Sequence, residues 1–488
     1  MMQKRKRVSP EFFLQKPILR LGLCALLFFA CLFLGWCLPL EAYGERTGLA
    51  LGFALGIIAL WISNLLPILV PALLLAIGGR LLGFFNDGSL LQTLGNPILY
   101  VMFGFSIIAM GAESTNFARR FSFLVLKRFG KRPGRILFSF LLATVVLSAF
   151  ISNIATTLLV GGLAAQLLAV MEEKSGQSVF GKALMLLIPA GSMIGGIALM
   201  NGSPAINLNG LLLLEQASGQ SLLTYRTWAL FGIPCALASI LPCLLIYQRY
   251  FHISSQSEPL CREAYIADQL ASLGPLSGPE FRWLLYVALM ILFLSFGSNL
   301  AYTTLAFTLL HLLPGLGTVA PKHAFEKLPV EVLFMCAIVP LFSILFENTG
   351  LNAFFGSLLT PYFSHLSPLE IMILSALLMT LLNNLFVNAS SGILSLLVVC
   401  ETPVLLSAGL NPAVILLPTL FLASFTLAFG THVNVFVLYG YGYWNMRDPI
   451  VPGFLFCVFC AFLFSLLVYL IALAGGLPMY LPSSVPAI

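Results

Sequence analysis

Charge is scarce in this chain: only 9% of its 488 residues are Asp, Glu, Lys or Arg, against roughly 25% in an ordinary soluble domain. So little charge cannot cover a water-facing surface. Histidine is scarce too, with five in all, and there is no His-x-x-His and no paired Asp cluster. The gathered acid, base or metal ligands of a membrane-embedded enzyme are therefore missing. The ten cysteines, among them Cys24, Cys31, Cys37, Cys457 and Cys460, lie mainly inside apolar runs without paired ligand spacing. They read as small packing residues rather than disulfides or a zinc site. The N-terminus, MMQKRKR followed by an apolar run from Pro17 to Cys37, lacks a small-x-small cleavage site and is long for a signal peptide, so it reads as a retained first helix.

What is present is apolar. Hydrophobic residues make up 59% of the chain and fall in stretches of about 20, the length that crosses a ~30 Å hydrocarbon core. The lipid bilayer is the solvent this implies. The net charge of +6 follows membrane topology and gives no reason to expect nucleic acid as a partner.

The fold class expected is an all-α polytopic membrane protein with about 11 transmembrane helices. Residues 1–16 form a basic N-terminus, placed in the cytoplasm. Spans follow at Pro17–Cys37, Thr47–Leu65, Leu66–Phe84 and Pro97–Glu113. If the basic terminus is inside, the fourth span also ends inside, next to Arg119, Arg120, Lys127, Arg128, Lys131, Arg132 and Arg135, where the positive-inside rule puts them. The run 136–170 is too long for one crossing and is interrupted at Ser152–Thr157, which fits a re-entrant hairpin with a polar tip. The run 182–214 is broken at Asn201–Asn209, where Gly202 and Pro204 do not suit a continuous helix. After a span at Thr227–Tyr247, residues 248–280 form a cytoplasmic linker with one short surface helix at most. The second series has spans at 281–296, 299–313 and 330–346, a hairpin at 368–400, a broken helix at 412–440 and a last helix, within a second repeat 281–488 that answers the first at 17–247.

That repetition carries the most information. Glu113 answers Glu347, Asn153 answers Asn388 and Gly202 answers Gly430, at separations of 347 − 113 = 234, 388 − 153 = 235 and 430 − 202 = 228. An odd number of crossings lies between equivalent points, so the halves are inverted, the plan of many secondary transporters. Paired interruptions in two such halves point to a binding site at their interface, where half-helix N-termini present free N–H groups to an anion. Around them stand Ser148, Ser152, Asn153, Thr156 and Thr157 in the first half, and Asn383, Asn384, Asn388, Ser390 and Ser391 in the second. Ser148 or Ser391 alone is as readily explained by bonding back to a helix carbonyl. The bland readings of other polar groups are solvated helix ends for Glu113 and Glu347, snorkelling for Arg80, and an interfacial belt for Tyr439, Tyr441, Tyr443 and Trp444.

These residues resemble the divalent anion:sodium symporter family, carriers of dicarboxylates, citrate or sulfate. The family's Ser-Asn-Thr and Ala-Thr tip looks like Ser152-Asn153-Ile154-Ala155-Thr156 and, more loosely, Val387-Asn388-Ala389-Ser390-Ser391. Its Gly-Thr-Pro-Pro-Asn turn is similar to Gly202-Ser203-Pro204-Ala205-Ile206, and the second turn to Gly430-Thr431-His432-Val433-Asn434. The likeness extends to Trp61–Pro67 and Asn96–Gly104. It implies a homodimer in the plasma membrane, the inner membrane in a bacterium, whose transport domains move like elevators against a scaffold. It implies an anion site at Ser152, Asn153, Asn388, Thr431 and Ser203, with His432 in the place of a proline. It implies sodium ligands at Ser148, Ser152, Asn153 and Gly202, and at Asn383, Asn388 and Gly430. Ile154, Val387, Ala389 and Ile206 replace hydroxyls or an amide, removing ligands that hard cations use, so weaker sodium dependence is expected. A protonated His432 would compensate substrate charge instead.

The expectation is a secondary transporter of small di- or trivalent anions, dicarboxylates first and citrate or sulfate as alternatives, by sodium symport or anion exchange. It needs no cofactor besides a coupling ion. A membrane-embedded enzyme or an anion channel are the competing readings.

Overall fold

The computed structural model describes residues 17–63, 65–129, 132–253, 263–386 and 389–481. Among these the regular structure is helical, with one isolated β-bridge between Leu410 and Tyr480. The first half runs α1 (Pro17–Cys37), α2 (Thr47–Ser63), α3 (Leu69–Leu81), α4 (Asp87–Leu94), α5 (Pro97–Glu113), α6 (Phe117–Phe129), α7 (Pro133–Ser148), α8 (Asn153–Val170), α9 (Val179–Ala198), α10 (Pro204–Ser218) and α11 (Tyr225–Tyr250). A short α12 (Glu263–Ser272) lies in the linker. The second half runs α13 (Gly278–Ser295), α14 (Leu300–Leu312), α15 (Pro321–Lys327), α16 (Val330–Ile338), α17 (Leu341–Thr349), α18 (Leu351–Phe363), α19 (Pro368–Leu385), α20 (Ser390–Ser407), α21 (Pro412–Ile415), α22 (Leu417–Leu422), α23 (Val433–Phe436) and α24 (Ile450–Leu473). Ten stretches among the described residues are helical, long and apolar enough to cross a bilayer.

Local sequence sets these boundaries. Asn96 caps α5 by accepting from the Ile98 N–H, with Pro97 at the first helical position, where a missing donor costs nothing. Ser277 and Ser367 open α13 and α19 with reciprocal capping boxes to Glu280 and Glu370. Where helices meet in lipid, packing replaces hydrophobic driving force. Gly35 of α1 lies against Gly48 and Gly52 of α2 so closely that a Cβ on Gly35 would stand 2.4 Å from the Gly48 carbonyl oxygen.

The helices of the two expected hairpins, α7 with α8 and α19 with α20, pack against each other, the first pair joined through residues 149–152. The two predicted breaks are present as well, though unequal. The first half's helix ends at Ala198 and resumes at Pro204; the second dissolves into α21, α22, an irregular stretch over residues 423–432 and the one-turn α23. The second break is longer because Asn side chains replace the helix's own ladder. Asn383 Nδ2 donates to the carbonyls of Leu422 and Ala423 at 3.3 and 3.0 Å. Asn384 Nδ2 donates to the Phe425 carbonyl at 3.1 Å, and its Oδ1 accepts from the N–H groups of Leu427 and Ala428 at 3.1 and 3.0 Å. At the first break, Asn207 donates to the carbonyls of Gly196 and Leu199, and Trp228 to that of Ile197. Backbone groups freed from a helix at this depth are thus met by side chains.

Two bland readings change. Arg80 forms an ion pair with Asp87 at 2.5 Å instead of reaching alone for an interface. Tyr443 and Trp444 are 7% and 2% exposed; Tyr443 donates to the Glu173 carbonyl and Trp444 lies against Gly430. Trp444 thus packs on the second break and Tyr443 on the first half, while Tyr439 and Tyr441 stay exposed.

Candidate substrate site

A cavity of about 440 Å³ lies where the two halves interlock. The tip of the first hairpin contributes Ser152, Asn153 and Ile154, the first break contributes Ser203 to Ile206, and the second contributes Ser424, His432, Val433 and Asn434. The opposite wall comes from Met102, Ser106, Ala109, Met110 and Glu113 of α5, from Lys327 at the end of α15, and from Pro329, Val332 and Leu333.

The geometry follows from the breaks. Ser152 caps α8, its hydroxyl accepting from the Ala155 N–H; Ser203 precedes Pro204 at the start of α10. Two helix N-termini, with first-turn N–H groups that have no intrahelical acceptor, therefore border one volume. Asn153 is held by the Ser148 hydroxyl, which donates to its Oδ1 at 2.9 Å. Its amide also fills the space beside Gly196, where a Cβ would stand 2.4 Å from Oδ1. His432 Nδ1 is buried without a protein partner, so that atom is free for a ligand.

Behind the cavity, Thr157 of α8, Ser192 of α9 and Asn434 of α23 close a polar triangle. The Thr157 hydroxyl bonds to Ser192 Oγ at 2.9 Å and donates to Asn434 Oδ1 at 2.8 Å, and Asn434 Nδ2 donates to Ser192 Oγ at 2.8 Å. All three residues are buried. This triangle ties the second half's break to the first half's hairpin, and sequence reasoning missed its role. Thr157 and Asn434 stood in the quoted motifs, but Ser192 sits in an unremarkable helical run.

Of the residues expected to bind anion, Ser152, Asn153, Ser203 and His432 share the cavity wall. Thr431 is exposed and outside the lining. Asn388, and with it Val387, falls outside the described residues, so the expected meeting of Asn153 with Asn388 is not seen.

The first set of expected sodium ligands is rich in oxygen. Gly202 is wedged so tightly that a Cβ would stand 2.8 Å from both the Ser148 and the Gly196 carbonyl oxygens, with Ser148 Oγ and Asn153 Oδ1 paired nearby. Thr156 Oγ1, on the first turn of α8, is buried without a partner. That donor set suits a hard cation. The described members of the second set, Asn383 and Gly430, do not form one. Asn383 Oδ1 accepts from Ser390 at 2.5 Å and its Nδ2 is spent on carbonyls, while Gly430 faces the Trp444 ring and the Met446 sulfur.

Comparison with known proteins agrees with this architecture. By shape, the chain is similar to the YdaH transporter of Alcanivorax borkumensis, with a TM-score of 0.54 at 12% identity over 95% of this chain and 99% of that one. It is similar in the same way to MtrF of Neisseria gonorrhoeae, with a TM-score of 0.55 at 14% identity over 93% and 94%. Those likenesses concern fold alone. By sequence, it is 26% identical to a sodium-dependent dicarboxylate transporter, SdcS, of Staphylococcus saprophyticus, over 84% of this chain and 83% of that one. It is 28% identical to SdcS of Staphylococcus aureus over 41% and 39%. The family described as citrate transporter matches residues 58–417. With nearly three-quarters of its length in that match, and with the hairpin-and-break motifs that also mark the divalent anion:sodium symporters, the chain belongs to the citrate transporter family.

Proposed function

We propose that this chain is a secondary transporter that moves small di- or tricarboxylates across the plasma membrane by alternating access. The observation that carries the reading is the convergence of two helix N-termini, Ser152–Ile154 and Ser203–Ile206, with His432 on one cavity between the two halves of the chain. Free N–H groups and neutral polar side chains there attract carboxylates without the desolvation cost of a buried cation. One carboxylate meets the hairpin tip at Ser152 and Asn153; His432 Nδ1 and Ser203 face the rest of the anion.

The cavity wall has two origins, hairpin and breaks on one side and α5, α15 and α16 on the other. Sliding the first set against the second as an elevator would carry the site across the membrane, in a homodimer of the kind the resemblance implies. The basic end of the molecule, from Arg119 to Arg135, sits in the cytoplasm, and so does the N-terminus.

Coupling rests on one sodium ion, held by Ser148, Asn153 and the carbonyls around Gly202, whose charge would offset that of the substrate. In the second half Asn383 and Gly430 offer no equivalent set. Uptake of labelled succinate and citrate into proteoliposomes, with a sodium gradient or with internal counter-substrate, tests the reading. Accumulation that follows sodium with a Hill coefficient near one supports it; no uptake or exchange of either anion overturns it.

A further inference from the structure

The internal repeat makes one departure from its own symmetry visible. Glu113 and Glu347 are equivalent at a separation of 234, and each borders a cavity of about 400 Å³: Glu113 the one described above, of about 440 Å³, and Glu347 another of about 410 Å³ lined with Ser343, Asn352 and Gln216. The first cavity carries a cation in its wall, Lys327; the second carries none among its lining residues. Counting back, 327 − 234 = 93, and position 93 is Thr93, buried on α4 and bonded to the Leu90 carbonyl. Lysine thus stands on one side of the repeat only.

Its setting is distinctive. Lys327 ends the short helix α15, is exposed at the cavity rim, and is the only Lys or Arg in the lining. Glu113 lines the same cavity. Both belong to the wall opposite the hairpin. Glu113 leads directly into the basic segment Arg119–Arg135, which places this rim at the cytoplasmic face.

We infer that Lys327 is a carboxylate-binding residue for the half of the transport cycle that faces the cytoplasm, receiving the distal carboxylate of a dicarboxylate whose other end is held by Ser152 and Asn153. This rests on the proposed transport function. Lys327 makes no ion pair among the described residues and stands exposed at the rim, so an arriving dianion gains a counter-charge without a buried cation having first been stranded. A monocarboxylate, held at the hairpin tip, gains nothing from Lys327. Because Thr93 replaces the lysine in the other half, the external face has no matching contact, and the two faces differ in affinity.

The test is the side-dependent KM for succinate in oriented proteoliposomes. Lys327→Gln is expected to raise KM for substrate on the cytoplasmic side about tenfold, at least five times the change on the external side, and to reduce the preference for succinate over a monocarboxylate. Lys322→Gln, exposed on the same helix and outside the lining, is the control and should match the parent protein. Glu113→Gln should lower the cytoplasmic KM, having removed a carboxylate from the cavity wall. Equal KM changes on both sides, or no change for Lys327→Gln, would overturn the inference while leaving transport itself intact. Absence of any uptake by the parent protein would instead overturn the transport reading on which it rests.

Discussion

In the first hairpin Asn153 stands at the cavity wall with the Ser148 hydroxyl as its protein partner, whereas in the second Asn383 and Asn384 are buried and bonded into the unwound backbone. Each hairpin still joins its two arms by a Ser–Asn bond, Ser148 to Asn153 in one and Ser390 to Asn383 in the other. The order of the pair along the chain is reversed. The same residue types therefore serve two ends. Amides with few protein bonds face a ligand, and amides with a full set hold an irregular segment in shape, since a buried amide left unbonded is expensive.

Breaking the second arrangement should have the largest effect on the protein itself. Asn384→Ala would strand the Leu427 and Ala428 N–H groups and the Phe425 carbonyl, a loss of about 3 kcal/mol. A marked fall in thermal unfolding temperature, with transport lost alongside stability, is the expected result. Unchanged stability would show that the second break does not depend on this amide.

Next comes the packing beneath the first arrangement. Gly202→Ala places a methyl 2.8 Å from two backbone oxygens, of Ser148 and Gly196, neither of which can rotate away. The expected cost is about 2 kcal/mol, and sodium affinity should fall further than succinate affinity, because the displaced carbonyls belong to the cation set. Equal losses of both would place those carbonyls outside any sodium site.

At the ligand itself, His432→Gln keeps a hydrogen-bonding side chain while removing the ring. With Nδ1 unpartnered in the protein, the effect should appear in substrate binding: KM for succinate up about tenfold, equivalent to about 1.4 kcal/mol, with unchanged thermal stability. An identical KM would remove His432 from the site.

Much of this comparison was legible in the sequence because each feature leaves a local mark. Runs of about 20 apolar residues, polar tips at Ser152 and a Gly-x-Pro break at Gly202 announce hairpins and unwound helices through what they forbid. The expectation of an inverted repeat rests on a near-constant separation of corresponding residues. Roles decided by tertiary contact were not legible. Nothing near Asn384 says that it will bond residues 41 to 44 positions onward, and nothing near Ser192 announces Thr157 and Asn434 as partners. Thr431 carries the right side chain in the right motif, yet the tight turn before α23 leaves it exposed while its neighbour His432 lines the cavity. Lys327 lay in a stretch that the motifs do not reach.

The smallest effect expected is also the finest test of the first hairpin. Ile154 occupies a position where a hydroxyl is usual in the family the chain resembles, and its side chain, 39% exposed, borders the cavity. The oxygens of Ser148 and Asn153 lie on the other flank of the tip, against α9. A hydroxyl supplied by Ile154→Thr would therefore meet substrate or water before it met the cation. Removing a partly exposed branch leaves no sealed void, so stability should move by no more than about 0.5 kcal/mol. The sodium concentration at half-maximal uptake should change less than threefold, with the Hill coefficient still near one, while KM for succinate falls slightly. A Hill coefficient rising towards two would mean that the two hairpins are closer to equivalent than their amides make them, and that this isoleucine is what keeps a second cation out.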